Sequence, residues 1–196
     1  MPLSYDKAVV KRAPTGNARV RALVLLILAN LLATAPAAAL PTSTVLSIGD
    51  GDTIRVRQGG RAITIRLACI DAPETAQSPW GQQARRYLQQ RLPIGRTVSL
   101  DVKTTDRYGR TVAEVISDIN VNLVLVEDGQ AFAYRQYLGG CDAKEYLDAE
   151  YRASRRRYGV WQVPGGITRP WDYRRTRRPG ASVPRVGGTM QNPNRA

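Results

Sequence analysis

Apolar and polar positions alternate through the middle of the chain. Thr44 to Ile48 is a short β-prone run, and Thr53-Ile-Arg-Val-Arg57 alternates with the period of two expected of a half-buried strand. Gln58-Gly59-Gly60 reads as a hairpin loop. Beyond it, Ile63, Ile65, Leu67 and Cys69 fall on one face of a long strand, with Thr64, Arg66 and Ala68 on the other. Val98, Leu100 and Val102 mark a further strand, and Thr111 to Ile116 another after the turn at Tyr108-Gly109. Elsewhere the period lengthens to that of a helix. Ser78 as N-cap and Pro79 at the first helical position would open a helix on which Ala84, Tyr87, Leu88 and Leu92 share a stripe. Asn120 would cap a short helix over Val121 to Glu127, stopped by Gly129. Asp142 with Glu145 forms a capping-box-like pair for a helix carrying Tyr146, Ala149, Tyr151 and Ala153. Arg155, Arg156 and Arg157 fall in its last turn, where cations suit the macrodipole, and Gly159 would end it.

Five short strands with an intervening helix predict an α+β chain built on a small closed five-stranded barrel of the OB type, with about three helices. The ends differ from this middle. Basic residues run up to Arg21, an apolar stretch follows from Ala22, and small residues place A-x-A at Ala37 and Ala39. Residues 1–39 thus read as a signal peptide with cleavage near Leu40, or as an anchor if uncleaved. From residue 175 to 196 the chain is rich in Arg, Pro, Gly and Asn and reads as a basic disordered tail. The expected domain is then 42–174. The 196-residue chain carries a net charge of +13, but residues 1–40 account for +4 and residues 165–196 for +6. A nearly neutral domain with solubilising ends fits this distribution, as does attraction to nucleic acid or an anionic membrane.

The composition narrows the chemistry. With no histidine, Ser-His-Asp and Cys-His catalysis and His-based zinc sites are excluded. Acid–base work falls to carboxylates, Arg, Lys or Tyr. Four clusters could carry it. Asp50-Gly51-Asp52-Thr53 is tight-turn chemistry on its own. Arg66 leaves a strand that then delivers Asp71 and Glu74 around the bend at Pro73. Carboxylates from two separate turns suit a hard, oxygen-loving cation, Ca²⁺ above all, though a salt-bridged strand end would look the same. Asp106-Arg107-Tyr108-Gly109-Arg110 is a hairpin turn carrying a second Arg. Tyr134-Arg135-Gln136-Tyr137 interleaves aromatic and basic residues, which can stack on bases and contact phosphates or simply serve the core. Cys69 and Cys141 are the two cysteines. In an exported chain they suggest a disulfide, while the apolar neighbours of Cys69 suit a buried thiol equally well.

In this order, DGDT, RLACIDAPE and DRYGR closely resemble the staphylococcal nuclease (thermonuclease-like) family. The resemblance spans about Thr44 to Gln162, and the ending Pro170 to Arg174 also looks like bacterial members. It implies the five-stranded OB barrel with three helices and Ca²⁺-dependent cleavage of phosphodiester bonds in DNA and RNA. Under it, Arg66 and Arg110 clamp the scissile phosphate, and Glu74 is the general base. Asp52, Asp71 and the Ala72 backbone carbonyl hold Ca²⁺, with Asp50 in the outer shell. Tyr108, Tyr134 and Arg107 line the substrate pocket. Two features depart from the family prototype: Ala72 stands where it has Thr, and Thr75 to Trp80 is shorter than its lysine-bearing loop. The expected protein is a secreted or periplasmic (cell-envelope) monomer with no stable protein partner, touching membrane only through an uncleaved N-terminal segment. The alternatives are a non-catalytic OB-fold nucleic-acid-binding module and a membrane-tethered surface protein.

Overall fold

The structure, a computed structural model, describes residues 40–177. The expected export segment and most of the expected basic tail lie outside the described residues. Eight strands are present: β1 (Thr42–Ile48), β2 (Thr53–Gln58), β3 (Arg61–Leu67), β4 (Ile70–Asp71), β5 (Thr97–Thr105), β6 (Thr111–Ser117), β7 (Ile119–Asn120) and β8 (Phe132–Ala133). The helices are α1 (Trp80–Arg91), α2 (Val121–Glu127), α3 (Ala143–Arg156) and α4 (Pro170–Thr176), with 3-10 turns over Arg135–Gly140 and Gly159–Gln162.

Alternation does what it predicts. Ile54 and Val56 of β2 are buried while Arg55 and Arg57 face solvent. The β2–β3 hairpin turns at Gly59 and Gly60, both with positive φ, a conformation a Cβ would oppose. Antiparallel neighbours run β3-β2-β1-β5-β6, and β3 then pairs in parallel with β6 to close a five-stranded barrel. Closure leaves these strands without an open edge. Its core gathers Val45, Ile54, Val56, Ile65, Leu67, Leu100 and Val115, each at most 1% exposed. Removing each such side chain from water is worth roughly 1.5–3 kcal/mol.

A buried side chain absent from the sequence reading secures the closure. Asn122, fully buried at the start of α2, accepts from Val115 N (3.0 Å) and donates to Ala68 O (3.0 Å) and Ala113 O (3.1 Å). It thereby fills backbone bonds where β3 and β6 part, and an unfilled buried amide would be costly.

Two expected caps form: Asn120 accepts from Leu123 N (3.2 Å) and Asp142 from Glu145 N (3.0 Å). Four expectations need correction. Pro79 rather than Ser78 stands at the N-cap of α1, with no side-chain bond to the helix. α3 stops at Arg157, which takes the left-handed conformation itself two residues before Gly159. Cys69 is not on the face of a strand, because β3 ends at Leu67 and Cys69 occupies a turn with φ 66°. Helix α4 runs through Thr176, past the boundary expected after residue 174. Among the described residues, no helix is long and apolar enough to cross a membrane.

Candidate active site

Register brings the first acidic turn to Arg66. Thr53 pairs with Arg66 across β2–β3, and Leu67 N donates to Asp52 O (2.8 Å), so Asp52 arrives beside the end of β3. Gly51 makes this approach feasible. A Cβ there would stand 2.6 Å from the Ala72 Cβ and 2.8 Å from the Ala84 Cβ, which lies on α1. Asp52 Oδ2 then accepts from Ala72 N (2.7 Å), and Asp52 N donates to Asp50 Oδ1 (3.1 Å).

The second turn is fixed from the other side. β4 pairs Asp71 with Phe132 of β8, and β8 is held in turn by α3, whose Glu150 accepts from Ala133 N (3.1 Å) and pairs with Arg135 (2.5 Å). Pro73 bends the chain outward to Glu74. There the Glu74 N–H donates to Gln77 Oε1 (2.9 Å), and Gln77 Nε2 donates to Thr168 O (2.8 Å).

Arg66 joins the two turns. Its Nη2 lies 2.7 Å from Asp71 Oδ1 and 3.0 Å from Asp52 Oδ2, so both carboxylates focus on one nitrogen. A second guanidinium, which no local spacing pointed to, comes from α4. Arg174 Nη2 is 2.7 Å from Asp71 Oδ2, and its Nη1 is 2.6 Å from Glu74 Oε1 and 3.2 Å from Asp71 Oδ1. The sequence signal available for Arg174 was its place in the Pro170–Arg174 ending. An open pocket of about 370 Å³ lies between Glu74, Thr75 and Ala76 on one side and Tyr173, Arg174 and Arg177 on the other.

Three carboxylates, Asp52, Asp71 and Glu74, thus bond two guanidiniums, while Asp50 accepts from the Asp52 N–H. Burial pushes the Asp52 carboxyl up to about 7, against the pull of Arg66 and with the repulsion of Asp50 and Asp71 adding to the rise. Burial likewise raises Asp71, opposed by the bond from Arg174 and the charge of Arg66. For Arg174 burial acts against the charge, but the bonds to Asp71 and Glu74 outweigh it and hold the guanidinium above its usual range.

Among the described residues, no three or more Asp, Glu or Cys side chains converge as a cage for a metal ion. The oxygen donors do fit a hard cation at the Asp52–Asp71 focus. Carboxylate oxygens are the donors such a cation prefers, and among the described residues Asp52 Oδ1 is bonded by the Thr53 hydroxyl alone, at 3.3 Å. Both Asp71 oxygens are engaged by Arg66 and Arg174, so a cation on Asp71 would share it with them.

The remaining candidates sit at the rim. Arg110 directly precedes Thr111, which pairs with Ile65 across the β3–β6 closure, so the β5–β6 turn opens beside the Arg66 strand end. Arg110 Nε pairs with Asp106 Oδ2 (2.7 Å), and among the described residues it bonds none of the carboxylates above. Tyr108 is exposed, with the guanidiniums of Arg107 and Arg110 at 4.8 and 5.6 Å from its ring centre. Tyr134 stacks on Trp171 of α4, centroids 4.9 Å apart and planes at 5°. Cys69 and Cys141 are bonded to each other, with Cα atoms 6.5 Å apart.

Residues 64–163 match the family described as staphylococcal nuclease homologue. A micrococcal nuclease of Shigella flexneri is 38% identical over 155 residues, covering 74% of this chain and 87% of that protein. The chain belongs to the staphylococcal nuclease family. Other family relatives include the protein ParB of Escherichia coli, 38% identical over 158 residues (76% of this chain, 87% of ParB). An uncharacterized endonuclease of Haemophilus influenzae is 39% identical over 122 residues (61% of this chain, 66% of that protein). The relatives from Shigella flexneri and Haemophilus influenzae, named as nucleases, support a nuclease function, the hydrolysis of nucleic acid, for this member of the family.

Proposed function

We propose that this protein is an exported, Ca²⁺-dependent nuclease that hydrolyses phosphodiester bonds in both DNA and RNA. The observation that carries the reading is the buried Asp52–Arg66–Asp71 focus with Glu74 at its solvent edge, in a chain of a nuclease family. Arg66 and Arg110 clamp the scissile phosphate. Their planar forks match two phosphoryl oxygens and meet the negative charge that grows there in the transition state. Glu74 is the general base, since a chain without histidine leaves a carboxylate as the strong candidate. Its side chain is 37% exposed, open to the water it must activate. Glu74 takes a proton as the water oxygen bonds to phosphorus. The ester bond to the leaving sugar oxygen breaks, and that oxygen takes a proton from solvent.

Asp52, Asp71 and the Ala72 carbonyl would hold Ca²⁺, with Asp50 in the outer shell. A bound Ca²⁺ would supply Lewis-acid stabilisation of the phosphoryl oxygens. Tyr108 and Tyr134 offer ring faces to the nucleotide and Arg107 a charge to its phosphates. Export is supported by the Cys69–Cys141 bond, because disulfides persist in oxidising compartments, and by the A-x-A site.

The test is cleavage of duplex DNA, single-stranded DNA and RNA in Ca²⁺, Mg²⁺ and EDTA. Cleavage is expected with Ca²⁺, weakly with the smaller Mg²⁺, and not in EDTA. Glu74→Gln cannot accept the proton and should lose about 10²–10⁴-fold in rate at any Ca²⁺ concentration. Wild-type cleavage by the folded variant would refute the assignment of the base.

A further inference from the structure

We propose that Arg174 is a positioning residue of the nuclease site, holding the Glu74 carboxylate against Asp71 so that the base is aimed before substrate arrives. This rests on the reading of Glu74 as the base. Arg174 belongs to α4, outside the residues 64–163 matched by the family, and reaches back across 100 residues of chain to Glu74. Among the described residues, Arg174 is the one partner of the Glu74 carboxylate. Glu74 is partly exposed on a flexible stem, so without that bond its carboxylate would sample several rotamers. Arg174 instead presents a rigid fork: two nitrogens straddle Asp71, and one of them also takes Glu74.

The fork is itself held by the frame that fixes Asp71. Trp171, one turn before Arg174, stacks on Tyr134 and meets Phe132 edge-on at 6.2 Å. Phe132 is the strand partner of Asp71. On the other flank, Tyr173 donates to Ala76 O (3.3 Å), and Gln77, which receives the Glu74 N–H, donates to Thr168 O just before α4. Attachments from both sides of α4 therefore converge on the segment that carries Glu74. The stretch that follows Glu74, Thr75 to Trp80, is short, and its Ala76 and Gln77 carry these bonds to α4 and to Thr168 just before it.

The experiment places Arg174→Ala and Arg174→Lys in the full chain, each with and without Glu74→Gln, and measures kcat and KM on DNA at saturating Ca²⁺ beside the unfolding midpoint. Misplacing a reacting group by about 1 Å can cost about 10²-fold, so Arg174→Ala should lower kcat by about 10- to 10²-fold with KM nearly unchanged. Lysine keeps the charge but not the fork and should recover part of the loss. In the Glu74→Gln background the same substitution should cost almost nothing further, because residues that act through one another are not additive. Should Arg174→Ala fail to fold, Arg174→Gln takes its place in the same comparison. Wild-type kcat in a folded Arg174 variant, a loss confined to KM, or an equal loss in the Glu74→Gln background would each overturn the proposal. Wild-type turnover by Glu74→Gln alone would remove the base assignment and this proposal with it, a failure seen in a different protein.

Discussion

Arg66 and Arg110 share a role in the proposed chemistry but differ in what the fold asks of them. Arg66 bridges two buried carboxylates, and Arg66→Ala would leave both without their shared cation. Breaking a buried pair in this way costs about 3–5 kcal/mol. Arg110 pairs with Asp106 at a partly exposed turn, where such pairs contribute about 0–1 kcal/mol. Both substitutions should abolish cleavage, but urea unfolding should show a large stability loss for Arg66→Ala alone. Equal losses would contradict the buried bridge. The acidic side of the site separates in the same way. Asp52→Ala or Asp71→Ala should weaken Ca²⁺ binding in calorimetric titration, with excess Ca²⁺ restoring part of the activity. Gly51→Ala should act at one remove. Its new methyl group would meet Ala72 and Ala84, whose Cβ atoms move only with the backbone, so the acidic turn must shift. Overpacking of this kind costs about 1–3 kcal/mol. Both the denaturation midpoint and Ca²⁺ affinity should fall, and an unchanged affinity would mean that the turn accommodates the methyl group.

At the scale of elements, α3 is a support rather than a catalytic part. Its buried Glu150 holds β8, and β8 holds Asp71. Its Asp142 cap bonds none of the site carboxylates' partners among the described residues and satisfies one N–H of the first turn. Asp142→Ala should therefore cost about 1 kcal/mol in denaturant unfolding while kcat stays unchanged. A fall in kcat without loss of stability would show that α3 acts on the site directly. The caps at Asn120 and Asp142 were legible because a capping side chain bonds three residues along its own chain. The start of α1 was not, since Ser78 has the right chemistry for a cap but the helix opens one residue too late to use it.

For the molecule as a whole, the Cys69–Cys141 bond closes a sequence separation of 72 residues. In the chain-entropy account, a loop of that length stabilises by roughly 4 kcal/mol, through restriction of the unfolded chain. Reduction should lower the denaturant midpoint accordingly, and a midpoint indifferent to reductant would refute it. The bond also ties the turn leading into Asp71 to the segment after Tyr134, whose N–H donates to Cys69 O (2.9 Å). Fold and site are thus joined through one short stretch of chain.

Local pattern reveals the five barrel strands, both limits of α2, the start of α3 and the chemical kinds in the site. Alternation and helical spacing are properties of neighbouring residues, and Asp50 to Asp52, Arg66 and Asp71 to Glu74 lie within a few residues of the turns that present them. Tertiary structure alone decided the rest. Local spacing could not show that Cys69 leaves the strand, turns through positive φ and meets Cys141. Nor could it pair the two-residue strands β4 and β8, set Asn122 across the barrel closure, or stack Trp171 on Tyr134. Arg174 is the clearest case. A basic residue near the end of the chain reads as surface charge until the packing of α4 carries it over a hundred residues back to Asp71 and Glu74, because such a meeting depends on the whole path of the backbone rather than on any period within it.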